Sequence, residues 1–418
     1  MAADQDSANT VYVDNNATTQ VAPEVLEAVM PYLTTDYFNP SSAYERAQPA
    51  AAALKRSRQA LAQFLGGVEP DEIVFTSCAT ESVNAALRGA VKAAPDRRHI
   101  VTTAVEHPAV LEVCREMAAG GIEVTFLPVD PSGNLDMRDF IRALRPDTLL
   151  AAIMHANNET GVIFPIEELS RITKETEPEI LFFTDATQTA GKLNLDLRGS
   201  LRHVDLLALS GHKLHAPKGV GALYVKRGTR WRPVMVGGHQ ESGRRAGTEN
   251  VAYVVGLARA AELARENHEA DERRIRVLRD RLEAELTARI PSVEVNGKGA
   301  PRLPNTLSIS VHFIEGEGML YLLNDRGICA SSGSACTSGS LEPSHVLKAM
   351  RIPFTAVHGS VRFSLSRYNT EQEIDRVIEG FPPIVANLRR LSPYWDQQND
   401  RPRPEAESMM CDRRGRVD

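Results

Sequence analysis

The chain has 418 residues and no lysine or arginine run, and its formal net charge is -6. Nucleic-acid binding needs a basic face, so this balance argues against it. No apolar stretch approaches the roughly 20 residues of a membrane span, so no membrane association is expected. Cysteines are few. Cys78, Cys114, Cys329, Cys336 and Cys411 are scattered, odd in number and never spaced C-x-x-C. That pattern offers no obvious zinc site, makes a disulfide framework a poor expectation and fits a reducing cytoplasm. The opening residues Met1 to Asp6 are polar and acidic, unlike a secretory or transit peptide. Internal repeats and low-complexity segments are also missing.

The remaining composition, 42% apolar and 24% charged, is ordinary for a soluble enzyme. At this length one compact core is too small and two domains are expected. Residues 16–265 alternate short apolar runs with helical stretches. The runs Glu72 to Thr76, His99 to Val105, Leu149 to Met154, Ile180 to Thr184 and Val204 to Leu209 read as strands, with a helix from Thr80 to Ala94. Continuous rather than alternating apolarity indicates strands buried on both faces of a mainly parallel sheet, hence an α/β domain. A long amphipathic helix is expected from about Val251 to Ile290, with Ile275, Leu278, Leu282 and Leu286 on one face. A smaller α+β domain, 266–395, follows, with strands at Thr306 to Val311 and Ser360 to Leu365. Thr370 to Leu391 reads as helical despite Pro382 and Pro383. Residues 1–15 are assigned to pack near this second domain. The segment 396–418, polar from Gln397 onward, is expected to be disordered.

In an open α/β sheet, ligands bind beyond the carboxyl ends of the strands. Polar residues follow these runs in order. Cys78-Ala79-Thr80-Glu81 opens a helix, where free N–H groups and the Thr80 hydroxyl fit a phosphate cradle, although Thr80 as a simple cap fits equally. His107 could stack on a ring and relay protons, or be structural. Asn158 stands in a turn sequence and could reach a ring hydroxyl. Asp185 could pair with a pyridine nitrogen and Gln188 with a ring hydroxyl, against the alternative of a helix cap and a solvated amide. Ser210 and His212 could contact phosphate, and Lys213, in Ser210-Gly211-His212-Lys213, is placed to hold an aldehyde cofactor as a Schiff base. Each residue alone has a bland explanation. Their succession, each just past an apolar run, does not.

Two residues belong to the second region. Arg362, in a strand, could clamp a carboxylate through two parallel hydrogen bonds, or form a surface salt bridge. Cys336 lies in Ser331-Ser332-Gly333-Ser334-Ala335-Cys336-Thr337-Ser338-Gly339, with no apolar neighbour other than alanine, so burial explains it poorly and a mobile sulfur explains it well. Cys329 has an apolar neighbour, Ile328, and reads as structural.

These motifs in this order resemble the cysteine desulfurases, pyridoxal-phosphate enzymes of the class-V aminotransferase family. The resemblance runs from Val11-Tyr12-Val13-Asp14-Asn15-Asn16-Ala17-Thr18-Thr19 to about Trp395. Its most specific parts are the Ser-Gly-His-Lys lysine, the Ser-Ser-Gly-Ser-Ala-Cys loop and Arg362-Phe363-Ser364-Leu365. Residues 212–221 and 244–250 look most like the nitrogen-fixation type. The resemblance implies the pyridoxal-phosphate type I fold and a homodimer in which Thr248 reaches the cofactor phosphate of the other subunit. It implies the conversion of L-cysteine to L-alanine for iron–sulfur cluster assembly. Lys213 would act on the Cα proton, Arg362 and Asn158 would bind substrate, and Ala79, Thr80, His107, Asp185, Gln188, Ser210 and His212 would bind cofactor. Cys336 would receive the sulfur as a persulfide, pass it to a scaffold or other acceptor protein, and serve as a transient iron–sulfur ligand. A selenocysteine lyase or transaminase on the same fold is the nearest rival, and a non-catalytic sulfur carrier the more distant one.

Overall fold

The computed structural model describes residues 10–332 and 343–410. Seven strands form the main sheet, in the order Ile73–Thr76, Gly221–Val225, Leu206–Ser210, Leu181–Asp185, Thr148–Ala152, His99–Thr103 and Glu123–Leu127. Gly221–Val225 runs antiparallel to both its neighbours, and the remaining pairings are parallel. Most of these strands are buried along their whole length. That burial explains their unbroken apolar runs. The helix expected from Thr80 spans Ala79–Ala93. Helices cover both faces of the sheet and enclose separate apolar cores, one around Phe182 and Leu209, the other around Leu87 and Phe183.

The helix Val251–Arg289 is a single 39-residue element that links the cores. Its first half, through Leu257, Ala261 and Ala264, packs in the main core against the helices Pro23–Thr34 and Gln48–Phe64. Its second half presents Ile275, Leu278, Leu282 and Leu286 to a smaller core. The expected division at residue 265 therefore falls inside a continuous helix. The smaller core sits on the sheet Ser360–Ser364, Thr306–Val311 and Val293–Val295, all antiparallel. Val11 and Val13 pack into it, and Val11–Tyr12 pairs in parallel with Ile328–Cys329. The helix Glu371–Arg389 opens on a Thr370–Glu373 capping box and continues through Pro382 and Pro383.

The polar tail departs from expectation over residues 396–410, and residues 411–418 lie outside the described residues. Trp395–Asp396 pairs with Arg401–Pro402 and the helix Pro404–Met410 follows. Trp395 is buried with Phe313 and Ala406, and the Arg389 guanidinium lies 3.9 Å from its ring centroid. Two anchors and a cation–π contact suffice to order a segment whose composition is mostly polar. No helix among the described residues is long and apolar enough to cross a membrane.

Candidate active site

At the carboxyl ends of the main-sheet strands lies a cavity of about 490 Å3. Ala79, Thr80, His107, Asn158, Asp185, Gln188, Ser210, His212, Lys213 and Arg362 all line it, although they come from segments spread over nearly 300 positions.

The helix Ala79–Ala93 aims its first turn at this space. Its N-cap position is Cys78, with no side-chain cap among the described residues. Thr80 therefore sits inside the first turn and is not the cap. The first-turn N–H groups have no intrahelical acceptor and carry the positive end of the helix dipole. Gly221 lets the chain come this close, since a Cβ there would stand 2.9 Å from the Cys78 carbonyl carbon.

His107 is the N-cap of Pro108–Ala119, and its Nδ1 accepts from the Ala109 N–H at 3.1 Å. In the neutral ring the proton is thereby assigned to Nε2. Burial lowers the His107 pKa, Lys213 and His345 lower it further, and Asp185 opposes them. His212, bonded to Thr18 Oγ1 at 3.2 Å, is pushed down to about 4 by burial and by Lys213. Both rings are thus neutral near pH 7.

Asp185 ends the strand Leu181–Asp185 and accepts from the Thr187 N–H at 2.9 Å. Lys213 closes the turn Gly211–Lys213, and its ammonium donates to the carbonyls of Asn16 at 2.6 Å and Ala17 at 2.7 Å. Gln188 Nε2 donates to the Asn16 carbonyl at 3.1 Å. Three buried polar atoms of cavity residues, Ser210 Oγ, Thr187 Oγ1 and Gln188 Oε1, have no hydrogen-bond partner among the described residues. Buried polar groups are nearly always paired. The cavity therefore offers polar contacts for a bound group with several hydrogen-bonding positions.

Arg362 is no surface residue, since its side chain is 2% exposed. Its Nη1 donates to the Asn158 carbonyl at 3.0 Å and its Nη2 to Asp14 Oδ1 at 2.7 Å. Burial holds the Asp14 carboxyl above the ordinary aspartate range, against the pull of Arg362 and Lys213.

Sequence reasoning missed several lining residues. Asn16, Thr187, Glu159 and His345 all reach the cavity. Ser344 Oγ donates to Glu159, and His345 Nε2 contacts the Glu106 carbonyl at 3.0 Å. The available signals were the Asn15-Asn16-Ala17 run and the carboxylate after Asn158. Thr248 is exposed and does not line the cavity. Cys336, with its expected iron–sulfur role, lies outside the described residues. Cys329 is half-buried beside Tyr12, and burial pushes its thiol above the ordinary range. No group of His, Cys, Asp or Glu suited to holding a metal occurs among the described residues.

Residues 11–377 match the sequence profile of aminotransferase class V. The chain belongs to that family. It is 55% identical over 388 residues to a protein named cysteine desulfurase from Trichormus azollae, covering 93% of this chain and 96% of that one. It is 54% identical over 385 residues to cysteine desulfurase NifS from Azotobacter vinelandii, covering 92% and 95%. A solved NifS-like protein superposes with a TM-score of 0.84 at 38% identity, over 91% of this chain and all of the other. The architecture is the mixed, mostly parallel type I fold of pyridoxal-phosphate enzymes.

Proposed function

We propose that this chain is a pyridoxal-phosphate-dependent cysteine desulfurase that converts L-cysteine to L-alanine and supplies the sulfur for iron–sulfur cluster assembly in nitrogenase maturation. The observation that carries the reading is the convergence of Lys213, Asp185 and Arg362 on one cavity whose wall also holds unpaired polar atoms. An amine, a carboxylate and a guanidinium are what a phosphorylated pyridine aldehyde and an amino-acid substrate require. The residues fit the cofactor. Lys213 would hold its aldehyde carbon, Asp185 its ring nitrogen, and His107 its ring face. The first turn at Ala79 and Thr80, with Ser210, His212 and Thr248 of a second subunit, would hold its phosphate. Gln188 and Asn158 would reach its ring hydroxyl. When bound, the cofactor supplies an electron sink for the substrate Cα.

The chain's own groups do the remaining work. Arg362 binds the substrate carboxylate, and Asn158, whose carbonyl already holds that guanidinium, borders the same site. Lys213, beside the Asn16 and Ala17 carbonyls that steady its ammonium, moves the Cα proton. His107, with its proton on Nε2, gives that proton at the substrate's sulfur end. Cys336, as a thiolate, attacks the substrate sulfur. The substrate Cβ–S bond breaks, its electron pair stays with the carbon fragment that is protonated to alanine, and Cys336 keeps the sulfur as a persulfide until an acceptor protein takes it.

The homodimer belongs to this reading. Its support is an exposed apolar stripe, Leu26, Met30, Leu33 and Tyr37, on and just beyond the helix Pro23–Thr34. A cytoplasmic setting, where free thiols persist, suits a persulfide carrier. Incubation with L-cysteine and a thiol reductant tests the function. Alanine and sulfide formed one to one are expected, whereas a keto acid from cysteine, or turnover of selenocysteine alone, would contradict it.

A further inference from the structure

The N-terminal segment contributes a charge to the site that the sequence did not single out. Asp14 follows the strand Val11–Tyr12 and forms a parallel bridge with Ser364, two residues beyond Arg362. That register is fixed several times over. The Asn15 N–H and Nδ2 donate to the Ser364 carbonyl at 3.1 and 2.9 Å, Ser364 N–H to the Val13 carbonyl at 2.7 Å, and Asn16 N–H to Ser364 Oγ at 2.9 Å. The Asp14 carboxylate is thereby locked to the strand that carries the guanidinium it pairs with.

Arg362 lines the cavity and Asp14 does not. The carboxylate therefore leaves the space a substrate would take open, and meets the guanidinium from outside the cavity lining. Its second anchor, the Asn158 carbonyl, comes from the loop after the strand Thr148–Ala152. Two acceptors on two separate segments restrain the plane of a fork whose donors have fixed directions. A guanidinium this buried also needs a neutralising partner when no substrate is present.

We propose that Asp14 is a positioning residue for substrate recognition, holding Arg362 so that its remaining donors meet the substrate carboxylate. The inference rests on the reading of Arg362 as the carboxylate clamp of a cysteine desulfurase. Asp14 then acts on the carboxylate end of the substrate and not on its amine or thiol.

The test compares the cofactor-loaded wild type with Asp14→Asn, which keeps shape and removes charge. Two probes separate the ends of the substrate: 3-mercaptopropionate has the carboxylate and thiol, and cysteamine the amine and thiol. In Asp14→Asn, KM for L-cysteine rises about ten- to hundredfold, the scale of one charge-assisted hydrogen bond, and kcat changes by less than about threefold. Calorimetric affinity for 3-mercaptopropionate falls by a similar factor, while that for cysteamine stays unchanged. In an Arg362→Gln background the Asp14→Asn change has no further effect on 3-mercaptopropionate. If Asp14→Asn fails to fold, Asp14→Glu replaces it: the longer arm displaces the fork, and the same selective loss is expected on a smaller scale. Unchanged 3-mercaptopropionate binding, equal losses for both probes, or additive losses in the double variant would overturn the proposal. A wild type that makes no alanine would sink the functional reading instead, and the 3-mercaptopropionate comparison would still decide the role of Asp14.

Discussion

Replacing Glu106 by glutamine should change how stability depends on pH. The Glu106 side chain is buried next to His107, its Oε1 accepting from the Met154 N–H at 2.9 Å and the Thr103 hydroxyl at 2.8 Å. Its Oε2 has no partner among the described residues. Burial, helped by the Asp185 charge, raises its pKa from 4.5 to about 8. The folded protein thus keeps this carboxyl neutral where the unfolded chain ionises it. Stability from this group is fully present below 4.5 and falls as pH rises, until the loss is complete above about 8. Across that window the slope is about 1.4 kcal/mol per pH unit, with a total near 5 kcal/mol. Glutamine cannot ionise, so the slope should vanish. Its amide nitrogen, in place of Oε2, is left unpaired at a cost of about 1–3 kcal/mol. The variant should be the less stable protein at pH 5 and the more stable one at pH 8, there by roughly 1–3 kcal/mol. Urea unfolding midpoints at pH 5, 6, 7 and 8 read this out. Parallel curves for the two proteins would refute the reasoning, because Glu106 would then ionise alike in both states.

Lys213→Ala should lose at least about a thousandfold in turnover and lose the yellow absorbance of the loaded enzyme. Borohydride treatment of the wild type followed by peptide mapping should place the label on Lys213, and a label on Lys218 or Lys226 would contradict the site. Dilution followed by sedimentation and activity should show that turnover tracks the dimer. A fully active monomer would remove Thr248 from the cofactor site.

Much of this architecture was legible because burial on both faces writes itself into sequence as unbroken apolarity. The strands Thr148–Ala152 and Leu206–Ser210 show this. The edge strand Glu123–Leu127 was not singled out, since it is largely exposed and only Leu127 is fully buried. The tail after Trp395 misled for a related reason. Its order depends on the packing of Trp395 and Ala406 with Phe313, distant in sequence, and not on its own composition. In the site, residues just beyond strand ends, such as Asp185 and Lys213, were found because the fold class dictates where ligands sit. Asp14 and His345 were not. They reach the site through long-range pairing and packing, from the Asp14 bridge to Ser364 to the Ser344–Glu159 contact, which no local pattern encodes.

The most direct test of the account follows the sulfur. Cofactor-loaded wild type given L-cysteine without an acceptor should gain one sulfur atom, about 32 Da by non-reducing intact mass, and peptide analysis should place it on Cys336. Cys336→Ser should keep the yellow absorbance, bind L-cysteine and release essentially no alanine, because a hydroxyl is a far weaker nucleophile toward sulfur than a thiolate. Near-normal alanine production by Cys336→Ser, or the extra sulfur on Cys329, would contradict sulfur transfer through Cys336.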